Sequence, residues 1–225
     1  MKKVLPAPWA YSKLKAFETC PKQFYHEKVL REFPFRETPE IRFGNRFHKA
    51  AELLAKESTP LPKEFKFAEG TLAALLRKPG LIHAEMKMGV TANLDACGFF
   101  DSDVWLRGVV DLAIINEDHA FVVDYKTGKS HRYADTGQLE LMALLMFAKY
   151  PQLERISAGL VYVISKGFIK RKYTRDDIPR LWESWTIRFR RMVKAFDSEV
   201  WNPNPSGLCK RHCPVVECPH NGANG

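Results

Sequence analysis

Two apolar runs near the middle of the chain contain charged residues at positions where a buried strand normally has none. The runs 108–115 and 121–128 are rich in valine and isoleucine, and turn-forming residues follow each of them. They predict two neighbouring strands of a hairpin. Asp111 lies inside the first run, and Asp124 and Lys126 lie inside the second. Because side chains alternate along a strand, Asp124 and Lys126 point to the same face, and Asp111 can lie beside Asp124 across the pair.

The charged residues also indicate which reaction the hairpin could support. Two carboxylates held together repel each other unless a cation joins them, and Mg²⁺ and Mn²⁺ prefer oxygen ligands. An adjacent ammonium can then orient or activate a water molecule, which is the equipment of metal-assisted phosphodiester hydrolysis. Taken alone, Asp124-x-Lys126 has a plainer interpretation, an internal ion pair on a half-exposed strand.

The rest of the pattern predicts helices around a sheet. Apolar residues recur three or four positions apart in some segments and alternate in others, which separates helices from strands. The predicted helices cover 13–20, 22–30, 41–57, 71–76, 135–149 and 178–196, and further strands cover 81–88, 156–164 and 168–173. Ser12 is the predicted cap of the first helix, and 93–103 is predicted to be irregular. This order predicts an α/β fold with a central mixed β-sheet flanked by helices.

Composition narrows the class of protein. The 225 residues are 45% hydrophobic and 27% charged, as in ordinary globular proteins. No run has the apolar length needed to cross a membrane, and the start lacks a signal-peptide core, so we expect a cytoplasmic protein. The formal charge of +9 favours a polyanionic partner, with nucleic acid first.

One cluster of basic residues lies in the second half of the chain. A basic hairpin is predicted there, followed by a helix that contains Trp182 and Trp185. Basic residues with aromatic neighbours suit single-stranded nucleic acid. In the alternative interpretation the face is merely solvated and the tryptophans lie in the core. The candidate DNA-binding residues are Lys166, Lys170, Arg171 and Lys172.

Three further residues are candidates for the site on the hairpin. His48 could be another ligand of the cation, and its alternative is a surface or capped histidine. Glu85, on a strand ahead of the hairpin, could add a carboxylate, or it could be an exposed charge on an edge strand. Gln138 opens the helix after the second hairpin strand, where it could contact the scissile phosphate or be an ordinary glutamine of a first helical turn.

The cysteines predict a second site. Their number is five, and an odd number without a secretory signal argues against a disulfide framework. Cys209, Cys213 and Cys218 lie close together near the end of the chain, and four such ligands would hold an iron–sulfur cluster or a structural zinc. The candidates for the fourth ligand are Cys20, His212 and His220. Cys97 is isolated and is predicted to be a packed core residue.

Taken together, these residues resemble the PD-(D/E)XK nuclease superfamily, and among its branches the RecB-like one, which includes the nuclease domains of RecB and AddB and the CRISPR-associated RecB-like exonucleases. The motifs that carry the resemblance cover nearly the whole chain. They are Ser12-x-Leu14-x-x-Phe17-x-x-Cys20-Pro21-x-x-Phe24-Tyr25, Gly44 with His48, Glu85, Gly108-Val109-Val110-Asp111, Val123-Asp124-Tyr125-Lys126-Thr127-Gly128 and Gln138.

The resemblance implies a metal-dependent DNA nuclease with a restriction-endonuclease-like core. It implies that Mg²⁺ or Mn²⁺ is held by His48, Asp111 and Asp124, with the Tyr125 carbonyl and with Glu85 as a further candidate. Lys126 would position the attacking water and stabilise the charged transition state, and Gln138 would match the family's helix glutamine.

The resemblance also implies a [4Fe–4S] cluster in this branch. One cysteine near the N-terminus and three near the C-terminus would hold it, which corresponds here to Cys20, Cys209, Cys213 and Cys218. Such a cluster would join the two ends of the chain, with structural Zn²⁺ as the alternative.

We therefore expect one RecB-like nuclease domain over 1–225, with a helical part at 1–60, a nuclease core at 81–198 and a cysteine-rich tail at 199–225. The expected activity is exonucleolytic hydrolysis of DNA from its ends, in recombination, repair or phage DNA metabolism. The sequence has no nucleotide-binding motif of a motor protein. The substrate would therefore be a single strand, an existing DNA end, or an end exposed by a helicase or recombination partner. The alternatives are a structure-specific endonuclease and a non-catalytic DNA-binding subunit.

Overall fold

The structure is a computed structural model that describes residues 8–128 and 134–224. These residues fall into two compact units. One unit is formed by both ends of the chain, 8–36 and 183–224, and the other by the described residues of 37–182. The expectation of one domain over the whole chain stays a prediction.

Helices and strands follow the predicted order. The helices are α1 (Tyr11–Thr19), α2 (Pro21–Phe24), α3 (Pro39–Glu57), α4 (Glu69–Leu76), α5 (Gly137–Lys149) and α6 (Ile178–Ser198). The strands are β1 (Leu81–Val90), β2 (Ala96–Cys97), β3 (Leu106–Asn116), β4 (His119–Lys126), β5 (Arg155–Tyr162) and β6 (Gly167–Thr174). Within the part of the chain that is described, no helix combines the length and apolar composition needed to cross a bilayer.

Several local predictions were wrong at the ends of elements. Ser12 does not cap α1, because that helix begins at Tyr11, two residues before the predicted start, and its N-cap is Ala10, whose side chain makes no capping bond. The helix predicted over 22–30 begins at Pro21, where the Cys20 side chain caps it, and it is α-helical only to Phe24, after which it continues as a π-helical turn over Tyr25–Val29. The segment 93–103, predicted to be irregular, contains the short strand β2.

Six strands form one mixed sheet among the described residues, in the order β2-β1-β3-β4-β5-β6. The neighbours β4 and β5 are parallel, and every other neighbouring pair is antiparallel. Parallel neighbours need a crossover connection, and α5 provides it between them. The predicted α/β fold with a central mixed sheet and flanking helices is confirmed.

Helices cover both faces of the sheet in the unit 37–182. On one face, Phe47 of α3 and Leu72 of α4 pack over Leu112 and Val123 in a continuous apolar core. On the other face lies α5, which contacts β1, β3, β4 and β5. Leu139 and every residue from Leu141 to Phe147 of α5 are buried, as expected for a helix segment that is apolar on all sides.

The regular pairing of β1 with β3 is interrupted at one position. The ladder runs from Leu81 to Val90 except at Glu85, and the missing partner across the strand is Asp111. Glu85 has φ 51°, in the left-handed region that residues other than glycine rarely occupy. Two acidic residues thus lie opposite each other where the strands do not exchange backbone hydrogen bonds.

The interruption also changes the face of the sheet to which the side chains of β1 point. Ala84 belongs to the core beneath α3, whereas Met86 accepts a hydrogen bond from the Tyr150 hydroxyl at the end of α5, with 3.4 Å between sulfur and oxygen. Residues two apart on a regular strand would face the same way. The left-handed conformation of Glu85 therefore reorients β1 at this point.

Candidate active site

A carboxylate takes the place of a backbone hydrogen bond between β3 and β4. The last paired residues of this ladder are Leu112 and Val123, and beyond them the strands separate. Asp111 Oδ2 accepts a hydrogen bond from the backbone N–H of Tyr125, at 2.6 Å. The Asp111 side chain is thereby fixed at the point of separation and is only 11% exposed.

A histidine from α3 reaches the same point. His48 Nδ1 lies 3.3 Å from Asp111 Oδ1 and 4.0 Å from Glu85 Oε1. One donor atom from each of the three side chains lies within 4.8 Å of the others, a spacing that a single cation can bridge. Gly44, one turn earlier in α3, lies close to the residues just after β4, and a Cβ there would be 3.2 Å from Thr127 Oγ1.

A second group of side chains forms a closed triangle. Asp124 Oδ1 accepts a hydrogen bond from Gln138 Nε2 at 2.6 Å, and Gln138 Oε1 accepts one from Lys126 Nζ at 2.9 Å. Lys126 Nζ lies 2.7 Å from Asp124 Oδ2. Gln138 is the second residue of α5, so the crossover helix sets the positions of both the carboxylate and the ammonium.

The pKa values show that negative charge is crowded here. Burial raises the pKa of Asp124 to about 6, the charge of Asp111 adds to the effect, and Lys126 opposes it. Burial and the Asp111 charge also raise the pKa of Glu85. Burial lowers the pKa of His48, but its hydrogen bond to Asp111 and the nearby carboxylate charges outweigh this, so the net direction is upward.

The donor set fits a hard divalent cation. It consists of carboxylate oxygens and one imidazole nitrogen, which suit Mg²⁺ and Mn²⁺. Among the described residues, the buried Oδ2 of Asp124 accepts no hydrogen bond of normal geometry, although Lys126 forms an ion pair with it. A buried carboxylate oxygen with free acceptor capacity is what a cation bound beside Asp111 would use.

Most sequence-predicted residues of the site come together. Tyr125 packs its ring against Phe47, with 5.8 Å between ring centroids, and its backbone amide binds Asp111. The metal-binding role of its carbonyl stays a prediction. The sequence did not reveal the left-handed conformation of Glu85. Glu52, one turn after His48 on α3, pairs with Lys49 and Lys56.

The four candidate cluster cysteines also come together, within the unit formed by the chain ends. They line one pocket, and neither His212 nor His220 lines it. Backbone N–H groups of Gln23 and Asn204 donate to Cys20 Sγ, both at 3.5 Å. Burial raises the pKa of Cys213, and the other three thiols add to this effect. The lining cysteines are Cys20, Cys209, Cys213 and Cys218.

The fifth cysteine does not behave as predicted. Cys97 is half-buried on the short strand β2, and its sulfur lies within 4.8 Å of carboxylate oxygens of Asp101 and Asp103. Because β2 pairs with β1 over only two residues at the edge of the sheet, nothing places this side chain in the core. The prediction of a packed core residue was wrong.

The basic hairpin is exposed, as predicted. β6 is an edge strand, and Lys170 and Lys172 pair with Gly159 and Ser157 of β5. Trp182 and Trp185 are buried, so the interpretation that places them in the core is confirmed. The exposed basic residues are Lys166, Lys170, Arg171 and Lys172.

Fold and site together define a class of protein. A mixed sheet in which two strands separate at acidic residues, with a lysine beside one of them, is consistent with a restriction-endonuclease-like α/β core. A family model described as the PD-(D/E)XK nuclease superfamily matches residues 8–218. The chain belongs to this superfamily, whose members are hydrolytic nucleases that generally use divalent metals.

One solved structure shows the same fold at low sequence identity. An inferred exonuclease from Eubacterium rectale has 15% identity and a TM-score of 0.54, over 94% of this chain and 90% of its own. A protein named SSO0001 has 14% identity and a TM-score of 0.49, over 96% of this chain and 87% of its own. No curated protein matches the chain in sequence.

The raised pKa of Asp124 predicts how Asp124→Asn changes stability with pH. A carboxyl whose pKa rises from 3.8 to about 6 on folding destabilises the folded state once it ionises. The penalty is absent below pH 3.8, grows up to about pH 6 and is then constant, at about 3 kcal/mol. In a metal chelator, the free energy of unfolding of Asp124→Asn minus that of wild type should therefore increase by about this amount between pH 4 and pH 8.

Urea unfolding at both pH values measures this gain. The exposed Asp197→Asn is the matched control and should show no comparable pH dependence relative to wild type. A constant difference between Asp124→Asn and wild type at pH 4 and pH 8 would contradict the proposed charge crowding.

Proposed function

We propose that this chain is a Mg²⁺- or Mn²⁺-dependent deoxyribonuclease of the RecB-like branch that hydrolyses DNA from its ends. One observation carries the proposal. The ammonium of Lys126 and the amide of Gln138 both engage Asp124, while Asp111 is fixed on the neighbouring strand with His48 beside it. This arrangement combines cation ligands with a positioned ammonium, as phosphodiester hydrolysis requires.

The cation would be held by carboxylates from two strands and by the imidazole. When bound, it supplies Lewis acidity and makes water a better nucleophile at neutral pH. The proposed ligands are His48, Asp111, Asp124 and the Tyr125 carbonyl, with Glu85 as a further oxygen donor.

The other side chains act on water and phosphate. The Lys126 ammonium donates hydrogen bonds, so it can hold the attacking water and stabilise the negative charge that develops on the phosphate. Gln138 accepts from Lys126 Nζ at 2.9 Å and donates to Asp124, which fixes the direction of the ammonium. Gln138 is in this respect a positioning residue.

DNA binding is supported by charge. The chain carries +9, and exposed basic side chains on β6 and the turn before it can contact phosphates without reading sequence. The residues proposed for this contact are Lys166, Lys170, Arg171 and Lys172.

Action at DNA ends is favoured over internal cleavage by the resemblance to RecB-like nucleases and by the description of the structural neighbour as an inferred exonuclease. The sequence has no nucleotide-binding motif of a motor protein. A helicase or recombination partner would therefore expose the ends of a DNA duplex to this chain. Structure-specific endonuclease activity is the second candidate, and a non-catalytic DNA-binding subunit is the third.

The cysteine pocket is proposed to hold a [4Fe–4S] cluster, with Zn²⁺ as the alternative. Its sulfurs accept backbone hydrogen bonds, for example from Ser206 to Cys209 at 3.3 Å, and such bonds stabilise cluster thiolates. The proposed ligands are Cys20, Cys209, Cys213 and Cys218.

Replacing Lys126 by alanine tests the catalytic proposal. End-labelled linear single- and double-stranded DNA and covalently closed circles are incubated with Mg²⁺ or Mn²⁺. Wild type should shorten linear DNA and leave circles intact, and Lys126→Ala should lose at least about 100-fold in rate, because removing one transition-state donor costs this much. The exposed Lys63→Ala is the matched control and should retain the wild-type rate.

The other outcomes separate the candidates. Cleavage of closed circles would identify an endonuclease. Binding of all three substrates without cleavage in either metal would identify a DNA-binding subunit and would remove the catalytic assignments. Full activity in Lys126→Ala would contradict the role of the ammonium.

Anaerobic purification tests the cluster. A [4Fe–4S] protein should be brown and contain about four iron and four sulfide per chain. Cys213→Ser should lose the colour, and Cys97→Ser, the control outside the pocket, should keep it. A colourless preparation with about one zinc per chain would establish the alternative and contradict the cluster.

A further inference from the structure

A pair of phenylalanines lies on the surface between β2 and β3. Phe100 is 76% exposed, and its ring centroid lies 4.9 Å from that of the half-buried Phe99, at an interplanar angle of 73°. The turn that presents them is closed by Asp101, whose carboxylate accepts the Gly98 N–H at 2.6 Å. Large aromatic rings in such an exposed position are typical of binding surfaces.

Two cations lie against these rings. Lys87 Nζ is 5.3 Å from the Phe100 ring centroid and 5.8 Å from that of Phe99, and Arg107 Cζ is 4.8 Å from that of Phe99. Aromatic rings beside positive charges are how proteins bind single strands, since bases stack on the rings while the cations contact phosphates.

The same two strands carry the carboxylates of the active site. Lys87 follows Glu85 by two residues on β1, and Arg107 precedes Asp111 by four on β3. Lys87 and Arg107 both contact Phe99, so they share one side of the sheet. Four residues of strand span about 14 Å. This length corresponds to about four nucleotides at the stacked spacing of 3.4 Å, and to fewer in an extended strand.

We propose that the Phe99–Phe100 pair, with Lys87 and Arg107, is a subsite for unpaired bases of the DNA strand whose end lies at Asp111 and Glu85. This inference deepens the proposed nuclease function and rests on it. The ring of Phe100 stacks on a base, and the two cations contact the phosphates between that base and the scissile bond. The carboxylates of Asp101 and Asp103, on the same turn, repel phosphates, so bases rather than backbone meet the tip of the turn.

Stacking on phenylalanine accepts every base, because each has an aromatic face. The subsite therefore selects unpaired strands rather than sequences. A duplex end would have to open by a few base pairs to reach it, which gives the nuclease a preference for single strands and frayed ends.

Phe100→Ala tests the subsite, and Phe35→Ala is the matched control. Phe35 is also 76% exposed, in the other compact unit, so both variants remove the same ring at the same exposure. Binding is measured by fluorescence anisotropy, in a chelator that prevents hydrolysis. The probes are a labelled twelve-nucleotide oligothymidine and a strand of equal length whose internal positions are abasic.

Phe100→Ala should bind oligothymidine at least about fivefold more weakly than wild type, the lower end of what one base stacked on an aromatic ring contributes. It should bind the abasic strand as wild type does, because that strand offers phosphates without bases. Phe35→Ala should match wild type on both probes.

Two results would overturn the subsite while leaving the nuclease proposal intact. One is equal oligothymidine binding by Phe100→Ala and wild type, in a protein that hydrolyses the same strand when Mn²⁺ is added. The other is a loss of self-association in Phe100→Ala without a change in DNA binding, which would identify a protein contact. A wild-type chain that neither binds nor hydrolyses the strand would overturn both proposals.

Discussion

Mutual repulsion among carboxylates has to be compensated at the centre of the sheet. Glu85, Asp111 and Asp124 come from three adjacent strands, and the charge of Asp111 adds to burial in raising the pKa of both other carboxyls. Burial and this repulsion hold the pKa of Asp124 at about 6. Such an arrangement persists only if the surrounding structure compensates it, and Lys126 and Gln138 do so in part.

This constraint connects the fold to the chemistry. The crossover helix α5, required by the parallel pair of strands, delivers Gln138, and α3 on the other face delivers His48. Both side chains reach the place where the ladders are interrupted. The apolar strand sequences predict a buried sheet, yet carboxylates are buried within it at this position. Such conflicts are expected at functional sites. A divalent cation, which hydrolytic nucleases of this superfamily generally use, would resolve the conflict.

The sequence predicted the parts that depend on local alternation. The hairpin, the shared face of Asp124 and Lys126 and the helix that carries Gln138 follow from residue spacing along single elements. It could not predict the left-handed Glu85, because that conformation depends on pairing across three strands. Residue spacing left Cys20, His212 and His220 as candidates for the fourth ligand beside the tail cysteines, and only the family resemblance selected Cys20. The exposed Phe99–Phe100 pair was missed because no periodic pattern marks the turn that carries it.

We propose that the interrupted ladder between β1 and β3 is a divalent cation site. Titration calorimetry with Mn²⁺ on wild type and on Asp111→Asn measures binding there, with the exposed Asp197→Asn as the control. We expect wild type and the control to bind Mn²⁺ at this site, and we expect Asp111→Asn to lose at least about tenfold in affinity, because it removes a charged ligand. Unchanged affinity in Asp111→Asn, or no Mn²⁺ binding by wild type, would contradict the account.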